Sequence, residues 1–267
     1  MSQQELADRV YVTQQTVSKW EQDDSLNDYS KIKAVAGELG VSFGYLTNGT
    51  IPEWVLNDEI FSPERMYTRM KTFAEAEKFD QTTKALAYAR EKFEGKTRKT
   101  SVGAQKTVPY FIHPLMMACH AHAMGIRDDE VLAVILLHDV CEDCGVEAKD
   151  LPFDKSIIHS VDLLTKSKKE GETEDEMDKR YYAAIEKDST ASIVKAIDRC
   201  NNVSLMALSF TDEKLREYIN ETEKFVMPLI RHIKQGDAKY NDAAFLITYQ
   251  LRSSIETIKS LLMRNQN

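Results

Sequence analysis

Proline and glycine are scarce, at six and ten in 267 residues. Few positions therefore force a turn, and stretches rich in Ala, Leu, Glu and Lys favour a mostly helical chain. Cysteine is scarcer still. The four, at 119, 141, 144 and 200, are too few and too scattered for a disulfide framework. Reduced thiols and a cytoplasmic location are the simplest expectation. No apolar run approaches the roughly 18–20 residues that a membrane helix needs, so no membrane partner is expected. The N-terminus is polar from Ser2 onward, which argues against a signal peptide. An excess of basic charge is missing too, since the net charge of -8 excludes a chain devoted to coating nucleic acid.

What is present, at 42% hydrophobic, suffices for one sizeable core and a small second unit. The densest chemistry lies in residues 138–143, where His138, Asp139, Val140, Cys141, Glu142 and Asp143 close the apolar run 131–137. Read as one helix, His138 and Glu142 share a face at i, i+4, and Asp139 and Asp143 follow one step round. Such polarity at the end of a core helix is costly unless the groups are paired, protonated or liganded. Two readings are open: a helix end reaching water, or a reaction centre. Cys141 and Cys144 form a C-x-x-C with no second pair at zinc-ribbon spacing, and read as small core residues.

Three further segments share this character. Arg98 and Lys99 precede a short loop and then Pro109, Tyr110 and His113-Pro114, which puts His113 at a helix start, with Pro114 at its first position. Asp198 ends a second apolar stretch and is followed by Arg199, Asn201 and Asn202. Two imidazoles and two carboxylates, His113, His138, Asp139 and Asp198, offer mixed N and O donors without thiolate. That set suits a divalent ion such as manganese, with iron or zinc as alternatives. His120, His122 and His159 fall outside these motifs and read as structural, and His232 as part of a solvated basic face.

The ordered motifs Gly95-Arg98-Lys99, Pro109-Tyr110-His113-Pro114, Leu136 to Asp143, Leu164-Thr165-Lys166 and Val194-Lys195-Asp198-Arg199-Asn202 resemble those of HD-type metal phosphohydrolases. Within that superfamily they are similar to the hydrolase domain of RelA/SpoT alarmone enzymes and the small alarmone hydrolases, from about residue 68 to 230. The resemblance implies removal of the 3′-pyrophosphate from the guanine nucleotide alarmones ppGpp or pppGpp. It implies metal ligation by His113, His138, Asp139 and Asp198, with Glu142 and Asp143 as the catalytic pair that manages the water. It assigns substrate contacts to Arg98, Lys99, Lys166, Asn202 and Tyr218. For Lys166 and Lys195 a phosphate contact and a salt bridge stay equally open. Phe93 stands where the family commonly has His, a matter of packing, and Leu205 replaces a hydroxyl residue. As the chain ends at Asn267, no synthetase domain is expected and any alarmone activity would be hydrolysis alone. Alternatives are an HD phosphohydrolase of another nucleotide, or a DNA-binding transcriptional regulator using the HD domain as a nucleotide sensor.

Ser2 through Glu21, with Gly40 through Leu46, resemble the Cro/CI-type helix-turn-helix. That implies contacts to double-stranded DNA from Gln14, Gln15, Ser18 and Lys19, with Val17 and Trp20 in the core. The family's first helix would precede Ser2, so it is read as missing. The usual turn glycine is Tyr11, and residues 1–50 carry four basic and seven acidic side chains where a DNA reader should be locally basic. Such a module could equally serve dimerisation, and a homodimer is one expected partner state.

The expected fold is all-α: a helix-turn-helix bundle over 1–50, a linker over 51–70, a multi-helix phosphohydrolase bundle over 71–235 and a C-terminal packing helix over 236–267. The charged run 166–180 reads as an exposed loop. Residues 241–262 read as one amphipathic helix whose apolar positions include Phe245, Leu246, Tyr249, Leu251, Ile255, Ile258 and Leu261.

Overall fold

The computed structural model describes residues 2–22, 29–39, 62–99, 107–236 and 238–264. The described residues are all helical apart from one short hairpin, turns and connections, and the chain divides into two compact units, Met1–Arg65 and Met66–Asn267. The expected turn and cap over 40–46, the loop 100–106 and residues 51–61 lie outside the described residues.

The first unit contains α1 (Gln3–Arg9), α2 (Gln14–Gln22) and α3 (Tyr29–Leu39). Ser2 and Glu5 form the expected capping box, each side chain meeting the other's backbone amide. Leu6, Ala7, Val17 and Val35 make the core, with Val10, Val12 and Trp20 packed against it. Tyr11 takes a φ of 55° in the turn between α1 and α2 and is 95% exposed.

The second unit runs α4 (Pro63–Glu77), α5 (Asp80–Lys92), β1 (Thr97–Lys99), β2 (Thr107–Pro109), α6 (Ile112–Ala123), α7 (Asp129–Leu137) and α8 (Val140–Cys144). It continues through α9 (Lys155–Leu164), α10 (Glu174–Ile185), α11 (Ser189–Ser209), α12 (Asp212–Glu221), α13 (Met227–Gly236) and α14 (Asn241–Arg264). Pro63 starts α4, where its missing N–H costs nothing, so the expected linker is already helical from there. After its acidic first turn, α7 is the hub: the apolar residues 131–137 are fully buried, and α5, α6, α9 and α11 pack around the helix. Burying side chains of this size contributes about 1.5–3 kcal/mol each. Asp128 caps its start by accepting from the Glu130 and Val131 amides.

Three expectations change. The single helix across 131–143 is two, α7 and α8, because His138 and Asp139 form a turn between them. The charged run 166–180 is only half loop. Thr173 and Glu176 form a capping box that starts α10, and Arg180 grips Glu172 at 2.8 and 2.9 Å and the Ser167 carbonyl at 2.6 Å. Finally, α14 buries Leu251, Ile255 and Ile258 as expected, but Phe245, Leu246, Tyr249 and Leu261 are exposed on its other side.

Candidate metal centre

The break between α7 and α8 delivers His138 and Asp139 to the end of the core, where α6 brings His113 and α11 brings Asp198. His113, His138 and Asp198 are buried, and one ligating atom of each lies within 4.8 Å of the others. His113 Nε2 is 3.3 Å from Asp198 Oδ1 and 3.8 Å from Asp139 Oδ2. His138 Nε2 is 3.1 Å from Asp139 Oδ2 and 3.9 Å from Asp198 Oδ1.

The outer nitrogens fix the rings. His113 Nδ1 pairs with Asn201 Oδ1 at 3.0 Å, and His138 Nδ1 with the Ile135 carbonyl at 2.8 Å. With Nδ1 donating in each case, the Nε2 lone pairs face the shared space, as metal-ligating imidazoles require. His138 Nε2 is buried and finds no hydrogen-bond partner among the described residues. Burial opposes charge on His138, but Asp139 and Asp198 outweigh it and push the imidazole up to about 9. Burial likewise opposes the carboxylates, yet Lys195 and the imidazoles hold Asp198, and the imidazoles hold Asp139, well below the usual carboxylate range. Imidazole nitrogens and carboxylate oxygens that converge on one space form a mixed N and O donor set that fits a divalent metal ion.

A second ring of side chains orients the donors. Lys195 Nζ meets Asp198 Oδ2 at 3.0 Å, and Asn202 Nδ2 donates to Asp198 Oδ1 at 2.6 Å. Tyr110 donates its hydroxyl to Asp139 Oδ2 at 2.6 Å, and its ring stacks on buried Phe93 with centroids 5.0 Å apart. Phe93 thus braces Tyr110, a packing role as its motif position suggested. Neither Asn201 nor Tyr110 carries a role in the sequence reading. The only available signal was their place inside the motifs.

Arg98 donates to Asn202 Oδ1 at 3.3 Å, bringing a cation to the edge of the donor group, and Lys99 ends β1. Glu142 keeps contact with solvent and accepts from the Lys166 backbone amide; burial on its other side raises its carboxyl. The Asp143 carbonyl accepts from Lys96 Nζ at 2.5 Å. The Lys166 ammonium is held by Asp178 at 2.5 Å and lies 3.8 Å from Glu221. The Tyr218 ring lies under the Arg199 guanidinium, 3.8 Å from its centroid. Arg199 is buried and also meets Glu221 at 2.8 Å and the Tyr182 hydroxyl at 3.0 Å.

No other histidine joins the centre. His122 lies against the Phe73 ring at a tilt of 38°, with centroids 4.0 Å apart, and His232 is exposed beside Glu186. Cys141 and Cys144 are half-buried at α8, not core as expected, and the Cys144 thiol reaches the Lys92 carbonyl. In the first unit, Gln14, Gln15 and Lys19 are exposed along α2 and Ser18 is half-buried.

An all-helical chain with a helix-turn-helix segment and a buried His-His-Asp group able to hold a metal ion is the class that fold and site define. Comparison with known proteins narrows it. A family model described as helix-turn-helix matches residues 1–46. Over 152 residues the chain is 32% identical to the guanosine-3′,5′-bis(diphosphate) 3′-pyrophosphohydrolase of Vibrio cholerae serotype O1, covering 54% of this chain and 20% of that protein. Over 191 residues it is 24% identical to the protein of the same name from Aquifex aeolicus, covering 70% and 26%. The chain thus spans about a fifth to a quarter of the length of the curated relatives it matches. Both halves of the resemblance read from the motifs, alarmone hydrolase and helix-turn-helix, are borne out by these matches.

Proposed function

We propose that the protein is a metal-dependent cytoplasmic hydrolase that cleaves ppGpp or pppGpp with water, giving GDP or GTP and pyrophosphate. The observation that carries this is the buried His113, His138 and Asp198 group, with an orphaned Nε2, in a chain similar to proteins named for that reaction. His113, His138, Asp139 and Asp198 would hold the ion, manganese in this reading. When bound, a divalent ion supplies a Lewis acid that makes water nucleophilic at neutral pH.

The chain's own groups do the rest. Glu142 and Asp143 orient the attacking water and accept its proton; the upward-shifted carboxyl of Glu142 suits it to return that proton. Arg98 and Lys99 neutralise the departing pyrophosphate, where negative charge builds in the transition state. Asn202 bonds the ribose or phosphate edge, and Tyr218 lines the nucleotide side. Lys166 acts through its backbone by fixing Glu142, since its ammonium is committed to Asp178 and Glu221.

Incubation of the purified protein with manganese and ppGpp, followed by ion-exchange separation, tests this. GDP and pyrophosphate should appear in equal amounts and be lost in Glu142→Ala. Absence of both products would instead favour another nucleotide or a sensor that turns over little.

A second activity is favoured by the exposure of Gln14, Gln15 and Lys19 along α2 of a matched helix-turn-helix. We propose that this face, with Ser18, reads double-stranded DNA. Lys19→Ala should weaken binding to every sequence alike and reduce its salt dependence by about one charge, whereas Gln15→Ala should relax sequence preference. Fluorescence anisotropy at two salt concentrations separates the two effects.

A further inference from the structure

Among the described residues, five of the seven exposed large apolar side chains lie on the single helix α14. Phe245, Tyr249 and Met263 are 60%, 69% and 65% exposed. The opposite face of α14 is fully engaged, with Ala244, Ile247, Leu251, Ile255 and Leu262 buried and α11 and α13 packed against the helix. Exposed apolar groups concentrated on one element mark an interaction surface rather than ordinary surface scatter.

The pattern along this face specifies the partner. Residues 245, 249, 252, 256, 259 and 263 are spaced 4-3-4-3-4, so that 18 residues make five turns and form a straight stripe. In order they are Phe, Tyr, Arg, Glu, Lys and Met. The stripe is self-complementary about the level of Ser254. Reversed on itself, it sets Phe245 opposite Met263, Tyr249 opposite Lys259 and Arg252 opposite Glu256. Each is a favourable meeting: apolar with thioether, aromatic face with cation, and cation with carboxylate. Because a two-fold axis makes each pair occur twice, one helix supplies a full isologous interface. Arg252 and Glu256 are exposed and Lys259 half-buried, held by Glu223 at 2.5 Å and 3.8 Å from Glu256.

We infer that the protein self-associates into a two-fold dimer through antiparallel pairing of α14, in the register that places Arg252 against Glu256 of the second copy. The polar middle of the stripe fixes the register, and the apolar ends supply most of the affinity.

Sedimentation velocity on the full chain tests this. At about 50 µM the wild type should sediment with twice the 30.5 kDa chain mass. Phe245→Glu and Arg252→Glu should each raise the dissociation constant roughly tenfold or more, with helix content unchanged by circular dichroism. The double variant Arg252→Glu/Glu256→Arg should recover the dimer. A single-chain mass at every concentration would overturn the proposal. So would a dimer that both single variants leave intact, or a double variant that stays dissociated.

Discussion

The Tyr110 hydroxyl donates to Asp139 Oδ2, the oxygen that faces both imidazoles. Removing that donor leaves the stack on Phe93 in place but frees Asp139 to turn. Tyr110→Phe should therefore weaken divalent-metal binding by about tenfold, read by calorimetry, with thermal stability little changed. Arg199 sets a different kind of dependence. Its guanidinium is buried against Glu221, Tyr182 and the Tyr218 ring, so deleting it strands a partly buried carboxylate. Arg199→Met should cost about 3 kcal/mol in urea unfolding. The buried His113, His138 and Asp198 group was legible in the sequence because His138 and Asp198 each end an apolar stretch with a group that burial would otherwise forbid, and His113 stands before a proline at a helix start. The residues that orient them were not, because Asn201, Tyr110 and Lys195 show their partners only once distant segments meet.

At the scale of elements, no residue between Leu137 and Val140 marks the break after α7. His and Asp are tolerable inside a helix, so periodicity runs straight through them. The turn is selected by the tertiary partners of Asp139 and His138. By contrast, the start of α10 was written in Thr173 and Glu176, a capping-box pair hidden within a run of charge. The loop before it depends on Glu172, whose carboxyl is pulled down to about 2 from an ordinary 4.5, first by its hydrogen bonds with Arg180. A depressed carboxyl contributes stability above its unfolded value and loses it as pH falls through the folded one. Local protection of residues 167–173 against proteolysis should hold at neutral pH and fade between pH 4.5 and about 2, and Glu172→Gln should remove it throughout. Tyr11 offers the opposite test. Its left-handed backbone strains a residue with a Cβ, and its exposed side chain packs little. Tyr11→Gly should stabilise the first unit by about 0.5–1 kcal/mol in thermal unfolding, the relief of strain exceeding the added chain entropy.

For the molecule as a whole, the two compact units separate two chemistries: a helix-turn-helix with an exposed polar face, and a helical bundle built around the buried residues 131–137 of α7, whose end brings His138 and Asp139 to the donor group. The two faces of α14 were not legible in the sequence, because Phe245, Leu246, Tyr249 and Leu261 differ from its buried positions only in angle about the helix axis. The donor group is tested most directly by the metal dependence of turnover on a chelator-stripped protein. Pyrophosphate release from ppGpp should be absent in chelator, return on titration with about one equivalent of manganese, and fail to return in Asp198→Asn. Release that continues in chelator, or that survives in Asp198→Asn, would contradict the account.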